Sequence, residues 1–441
     1  MVRYKPYERY KDSGVEWIGE VPEHWEVKKF SWLFGTIGSG TTPNSQNESY
    51  YDGNINWVVT GELIDGEIGI TNKQITESAL RDYSALNVFE PGTILMALYG
   101  ATIGKLGILC VRATTNQACC AMANPRDNVN PLFVYYWLLG LRQFIISLSY
   151  GGGQPNISQQ VVRNLRISLP PNNEQQAIAD FLDQKTSEID CLVADREKLV
   201  SLLQEYRQAI ISEAVTKGLN PDVNMKDSGV EWIGEIPEHW SLSQVRKHFD
   251  ICLGKMLQPE KQTKTDTLEK YLCSVNIISS EINLDVVKEM WFSSVERSKY
   301  EVVQGDLLVC EGGDVGKVAL WDGSIYPCYI QNALHRIRPL GDNSNMFLMY
   351  WFIFLKTVGY IEMVCNKATM AHFTREKVAR TIFIVLPSIE QQAIADYLDQ
   401  KTAEIDNLIS GIQESIDQLK SYRQSLISEA VTGKIDVRGV I

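Results

Sequence analysis

Two stretches of this chain repeat almost letter for letter. Lys11–Trp25 reads KDSGVEWIGEVPEHW and Lys226–Trp240 reads KDSGVEWIGEIPEHW, differing only at Val21 and Ile236. Glu174–Asp190 (EQQAIADFLDQKTSEID) returns as Glu390–Asp406 (EQQAIADYLDQKTAEID), and YRQAIISEAVT at Tyr206–Thr216 returns as YRQSLISEAVT at Tyr422–Thr432. The period is far too long for a solenoid, whose repeats are single supersecondary units. Each unit must be a domain plus a connector, and two units imply an internal pseudo-two-fold.

The repeats divide the chain into an N-terminal repeated segment (1–25), a first variable domain (26–168), a central repeated region with a long helix (169–240), a second variable domain (241–385) and a C-terminal repeated helix (386–441). The variable segments read as mixed α/β domains. Short β-rich runs (Ile55–Val59, Thr93–Ala97, Asp306–Val309, Val318–Trp321) are separated by Gly/Asn turns, and each segment closes on an apolar stretch of helical length, Pro131–Leu148 or Met346–Val364. They share a skeleton: Gly92-Thr-Ile-Leu95 parallels Gly305-Asp-Leu-Leu308, and Gly104-Lys105 parallels Gly316-Lys317. The expected class is α+β, with two similar domains separated by two long helices.

After Leu169-Pro170-Pro171 and Leu386-Pro387, apolar residues recur at steps of three, four and seven. Ile189, Leu192, Leu199, Leu203 and Tyr206 form the centre of one stripe; Ile405, Leu408, Ile412, Leu419 and Tyr422 form the other. Stripes this narrow suit a coiled-coil seam. A helix from about Glu174 to Val215 would be roughly 60 Å long at about 1.5 Å per residue, and it cannot bury its stripe alone. The other copy is the natural partner, in antiparallel pairing. Thr186-Ser187 and Thr402 are expected to cap a second helix and break each block there. Gly218 and Gly433 end the helices.

Composition narrows the function. Nine cysteines without a CxxC pair and five scattered histidines read as the reduced core of a cytoplasmic protein, with no disulfide framework, metal site or cofactor. Met1–Tyr10 does not resemble a signal peptide, and Met346–Leu355 is too short to span a bilayer. The formal charge is −12, but acid outnumbers base mainly in the repeated blocks, while the two variable segments are balanced. A nucleic-acid contact therefore belongs to the variable segments. No GxGxxG, complete phosphate loop, nucleophile elbow or HExxH occurs, so no catalytic residue is assigned. GATIGK at Gly100–Lys105 is preceded by Tyr99 where a phosphate loop needs glycine and followed by Leu106 where it needs Ser or Thr.

Several loops carry residues suited to duplex DNA, since amides and cations read base edges and hydroxyls bind phosphates. Ser39, Thr41 and Thr42 lie in a hydroxyl-rich loop; Tyr99, Lys105, Asn116 and Gln117 follow, and Gln154 and Asn156 sit in a glycine-rich stretch. The second domain offers Lys255, Lys317, Gln331 and Asn332, then Lys367, Thr369, His372 and Arg375. Taken singly, each loop also reads as an ordinary polar turn.

The KDSGVEWIGE(V/I)PEHW blocks, the proline-led EQQ entries and the long helices ending ISEAVT resemble, together and over the whole chain, the specificity subunits of type I restriction-modification enzymes. That resemblance implies two target-recognition domains, each reading half of a split, asymmetric DNA site. It implies a coiled coil that spaces them and docks two copies of a methyltransferase subunit, which restriction/translocase subunits then join. It also implies that the chain itself catalyses nothing. LGKMLQP at Leu253–Pro259 departs from IGSGTTP in the first domain, and Gln331-Asn332 inverts Asn116-Gln117. The rival readings are a non-enzymatic adaptor with two ligand-binding domains on a coiled coil, and a self-contained nuclease or methyltransferase, which the missing motifs disfavour. Symmetry further requires the N-terminal repeat to sit beside the C-terminal helix end, with Trp17/Trp25 and Trp232/Trp240 in equivalent pockets.

Overall fold

The computed structural model describes residues 4–149, 155–278, 280–365 and 371–439. The chain forms two compact units, one of residues 1–197 with 414–441 and one of residues 198–413. The first long helix, Asn172–Lys217, and the second, Ser388–Val431, each contribute a part to both units.

The two units are built alike, as the repeats require. Each opens with a small antiparallel hairpin, Tyr10–Asp12 with Glu20–Pro22 in the first unit and Met225–Asp227 with Glu235–Pro237 in the second. The variable domain is then closed at its neck by an antiparallel strand pair, Glu26–Lys29 with Arg166–Leu169 or Ser241–Gln244 with Ile382–Val385. Inside the first domain, a sheet runs in the order Phe34–Ser39, Cys119–Pro125, Ile94–Ala97, Leu106–Leu109, Gly66–Ile68. The second domain repeats its first four strands as Phe249–Leu253, Leu334–Pro339, Leu307–Cys310 and Val318–Leu320. A three-stranded sheet accompanies each.

The apolar helical stretches form as expected, but each is broken. Pro131–Gly140 gives way to Arg142–Ser147 at Leu141, and Asn345–Thr357 to Tyr360–Val364 at Gly359, which takes a left-handed φ of 75°. Both lie on the repeated helices of their own unit. A Cβ on Gly140 would sit 3.2 Å from Ile427 and from Val431. In the second unit Phe347, Trp351, Ile394 and Leu398 share one core.

Neither long helix breaks at its threonine. Thr186 and Thr402 are buried, and each hydroxyl lies 3.2 Å from a variable-domain tyrosine hydroxyl, Tyr136 or Tyr350. A hydroxyl satisfied in this way has no need to cap a new helix. The threonines fasten the helix to its domain, as do Gln175 and Gln391, whose amide oxygens accept from the backbone N–H of Asn130 and Ser344.

The helices pair antiparallel. In the first unit Arg423 binds both oxygens of Asp190 at 2.8 and 2.9 Å, and Lys420 meets Glu197 at 3.0 Å. The second unit repeats the first of these with Arg207 on Asp406 at 3.0 Å. The enclosed or half-enclosed positions alternate by three and four: Thr186, Ile189, Val193, Arg196, Val200, Leu203, Arg207, Ile210 on one helix, and Thr402, Ile405, Ile409, Ile412, Ile416, Leu419, Arg423, Leu426 on the other. This is a heptad seam, but its phase departs from the sequence-derived stripe. Leu192, Leu199, Tyr206 and Leu408 are 48%, 45%, 58% and 57% exposed and lie outside it; Tyr422 is half-buried beside it. The reason is that Arg207 and Arg423 occupy seam positions, covering them with their aliphatic stems while the guanidinium reaches a facing carboxylate.

The repeated hairpins dock as symmetry demands. Trp25 and Trp240 are fully buried, Trp17 and Trp232 half-buried. Trp17 stacks on Phe144 at 4.2 Å, and Trp232 packs on Tyr360 at 4.9 Å. Trp25 donates its indole N–H to Glu174 at 2.9 Å, and Trp240 to Glu390 at 2.8 Å. The helix ends are left-handed glycines, Gly218 (φ 77°) and Gly433 (φ 72°). A Cβ at Gly433 would lie 2.4 Å from Pro22, so only glycine lets the N-terminal hairpin approach the C-terminal helix end.

Candidate nucleic-acid interface

Sheet register brings the candidate residues of the first domain together. Ser39 and Met96 both face Cys120 across antiparallel ladders, so the strands Phe34–Ser39 and Ile94–Ala97 end at the same edge of the sheet where Cys119–Pro125 begins. Beyond that edge lie the hydroxyl loop, the turn 98–105 and the amide turn 116–118. Gly40 makes the crossing possible: a Cβ there would stand 1.8 Å from the carbonyl oxygen of Thr115. Thr42 donates to the amide oxygen of Gln117 at 2.7 Å, and Tyr99 bridges Asn156. Gln117, Thr42 and Asn156 are exposed, while Ser39, Thr41, Tyr99, Lys105 and Asn116 are half-buried. Lys105 forms no ion pair among the described residues. The oxygen of Asn116 is committed to the turn, accepting from the backbone N–H of Ala118 and Cys119 at 3.1 Å each. Gln154 lies outside the described residues.

The second domain repeats the arrangement with different chemistry. Leu253 and Val309 both face His335, so the same sheet edge carries the loop from Gly254, the turn 311–317 and the amides Gln331 and Asn332. A Cβ on Gly254 would stand 2.3 Å from the carbonyl oxygen of Gln331. Gln331 donates to Asn332 at 2.8 Å. The backbone N–H of Phe373 donates to Glu311, as that of Ile157 donates to Leu98 in the first domain, both at 2.8 Å. These bonds hold the last loop of each domain over the sheet edge. Lys367 and Thr369 lie outside the described residues.

Lys255 departs from its expected role. It is 4% exposed, with its ammonium 2.5 Å from Glu296 and 2.6 Å from Gln258, and it lies over the ring of Phe292. A cation enclosed in this way braces the loop and has no face left for a phosphate. Burial pushes the Glu296 carboxyl up, but hydrogen bonds from Lys255 and Ser293 outweigh it and hold the group below its ordinary value. Lys317 and His372 are more open, yet each faces an acid, Asp314 at 2.9 Å and Glu311 at 3.3 Å. Arg375 is exposed and donates to the carbonyl of Ile251 at 2.8 Å.

One participant escaped the sequence reading. Gln159 donates to the Ser39 hydroxyl at 2.9 Å, and it opens the same short helix in the first domain that Arg375 opens in the second. The 216-residue offset relates the two positions. Among the described residues no group of His, Cys, Asp or Glu is arranged to hold a metal ion, and no helix is long and apolar enough to cross a membrane.

Comparison with known proteins bears on this architecture. The family model described as "Type I restriction modification DNA specificity domain" matches residues 22–199 and again 254–418. Among curated relatives, the type I restriction enzyme MjaIX specificity subunit of Methanocaldococcus jannaschii is 29% identical, with 99% of each chain covered. The EcoKI specificity subunit of Escherichia coli K12 is 20% identical over 95% of this chain and 90% of its own. A solved chain from work on complex assembly and conformational transition of the type I R-M system superposes with a TM-score of 0.72 at 16% identity, covering 96% of this chain and 99% of the other. The HsdS subunit from Thermoanaerobacter tengcongensis superposes at 0.54 and 16% identity, with 94% and 98% covered. With two matched segments that take in most of the sequence, and a duplicated α+β fold on paired antiparallel helices, the chain belongs to the type I restriction-modification DNA specificity family.

Proposed function

We propose that the sheet edge of each variable domain reads one half of an asymmetric, bipartite duplex site, and that the chain catalyses nothing itself. The observation that carries this reading is the convergence of hydroxyls, amides and cations from separate loops on the same edge in both domains. The candidate contacts are Ser39, Thr41, Thr42, Tyr99, Lys105, Asn116, Gln117 and Asn156 in one domain, and Lys317, Gln331, Asn332, His372 and Arg375 in the other. The two edges share a backbone frame and differ in side chains, which is what independent readers of different sequences require. Half-sites at a fixed separation are part of this proposal, with the paired helices as the spacer. The acidic repeated blocks are unsuited to DNA and suit protein partners: two copies of a methyltransferase subunit, to which restriction/translocase subunits are added.

The test exchanges residues 26–168 for those of a relative, expresses the hybrid with its partner subunits and maps the methylated bases across the host genome. One half of the recognised sequence should change and the other remain. A change in both halves, or in neither, would overturn the assignment.

A further inference from the structure

The two units differ at one repeated feature. In the first, Glu174 is 3% exposed, because two groups cover it besides Trp25 and His24. Tyr7 donates its hydroxyl to Glu174 at 2.6 Å, the Arg438 guanidinium lies 4.9 Å over the Tyr7 ring and 3.9 Å from the same carboxylate, and Tyr4 packs edge-on against Phe181 at 5.3 Å. Two lengths of chain do this: the arm around 4–10 and the tail around 434–438, joined where Asp436 donates its backbone N–H to Lys5. Among the described residues one length, Leu219–Asn224, occupies the corresponding place in the second unit. Counted back from the repeated hairpin, Tyr4 and Tyr7 correspond to Leu219 and Asp222. Among the described residues no phenol donates to this carboxylate: Glu390, held by Trp240 and His239 alone, is 39% exposed, and Tyr397, the counterpart of the fully buried Phe181, is 37% exposed. Two cavities of about 710 and 310 Å³ open there, lined by Ile210, Glu213, Tyr397, Trp240, Glu390 and Ile394 among others. Tyr206, whose counterpart Tyr422 meets Tyr4 in the first unit, is 58% exposed.

We infer that this groove in the second unit is a docking site for an extended segment of a partner polypeptide that carries a tyrosine beside a cation. The first unit displays the complementary chemistry on a homologous surface. A phenol hydroxyl donates to the carboxylate at the position of Glu390, a second ring covers the aromatic at Tyr397, and a guanidinium completes the site, favoured by Glu213 and Glu235 on the rim. A second copy of this chain is a poor occupant, because its own arm is already engaged in its first unit and would give up there what it gained. The inference concerns a protein contact and stands apart from the DNA reading.

The probe is a labelled heptapeptide of the arm sequence, YKPYERY, titrated by fluorescence anisotropy into the full chain. Saturable binding of one peptide per chain is expected. It should weaken about tenfold or more, as loss of a charge-assisted hydrogen bond predicts, with Glu390→Gln, with Tyr397→Ser, or when the central tyrosine of the peptide is phenylalanine. Glu390→Gln keeps an acceptor for Trp240, and Tyr397 is partly exposed, so both variants should fold, which circular dichroism checks. Absence of saturable binding, binding indifferent to both variants, or binding lost with Glu174→Gln instead would overturn the inference. Self-association of the chain that the peptide disperses would assign the groove to a second copy and overturn the partner reading.

Discussion

Removing the Glu174 carboxylate should be far more damaging than removing its repeat, Glu390. Glu174 is buried and accepts from the Tyr7 hydroxyl at 2.6 Å and the Trp25 indole at 2.9 Å, with His24 at 2.7 Å. Glu174→Ala leaves a phenol and an indole N–H enclosed without an acceptor, at about 1–3 kcal/mol each. Arg438 keeps its two hydrogen bonds to Asp436 at 2.9 and 2.7 Å and gives up only a 3.9 Å approach. The expected loss is about 3–5 kcal/mol, within the sum for two enclosed donors left unpaired. Glu390 receives only Trp240 and His239 and is open enough for water to replace it, so Glu390→Ala should cost about 1 kcal/mol. Urea unfolding of the full chain, followed by tryptophan fluorescence and by circular dichroism, measures both. At about 1–3 kcal/mol per molar urea, the midpoint should move by more than 1 M for Glu174→Ala and well under that for Glu390→Ala. Equal shifts, or a larger one at Glu390, would refute the claim that the arm and tail seal only the first carboxylate.

Further outcomes are expected. Gly40→Ala and Gly254→Ala each force a Cβ against a carbonyl oxygen, so each should abolish methylation at the intact site while changing the melting temperature little, as the displaced loops lie at the sheet edge; normal methylation would show that the crossing is dispensable. The folded-state value of Glu296 lies below its ordinary one, so its pairing with Lys255 contributes stability above the unfolded value near 4.5 that is lost as the pH falls through the folded value. Glu296→Gln should therefore destabilise at pH 7 and become neutral in acid, which urea midpoints across pH decide. Duplex affinity should fall steeply with salt, with a log–log slope of about −0.9 per phosphate neutralised; absence of any duplex binding would favour the adaptor. Inserting four residues near Leu199 adds about 6 Å of helix, and the unread gap between half-sites should lengthen by a base pair or two. An unchanged gap with full methylation would mean that the helices do not set it.

Much of the architecture was legible from the repeats alone. Duplicated blocks dictated two units of the same construction, and helical spacing placed both long helices to within a few residues of Asn172–Lys217 and Ser388–Val431. The docking of the N-terminal hairpin at Gly433 followed from symmetry. The phase of the seam did not, because spacing weighs Leu192, Leu199 and Tyr206 above Val193, Val200 and Arg207, whereas packing accepts an arginine whose partner carboxylate waits on the facing helix. The threonines at 186 and 402 read as caps because a hydroxyl's local options are visible in sequence and its distant tyrosine is not.

Candidate contact residues were chosen for chemical type, and type alone could neither gather them nor test their exposure. Their convergence depends on strand register, which sets Ser39 and Met96 against the same residue, Cys120. Lys255 carried the right charge, but the fold encloses it against Glu296, and that pairing joins residues 41 positions apart through a loop with no periodic signal. What the sequence determined by itself was the duplicated construction, with two long helices and a hairpin docked at each helix end, because a repeated block folds the same way in both settings. What the tertiary structure decided was which side chains are spent inside the protein and which remain to face a ligand, because that depends on distances between segments that share no local pattern.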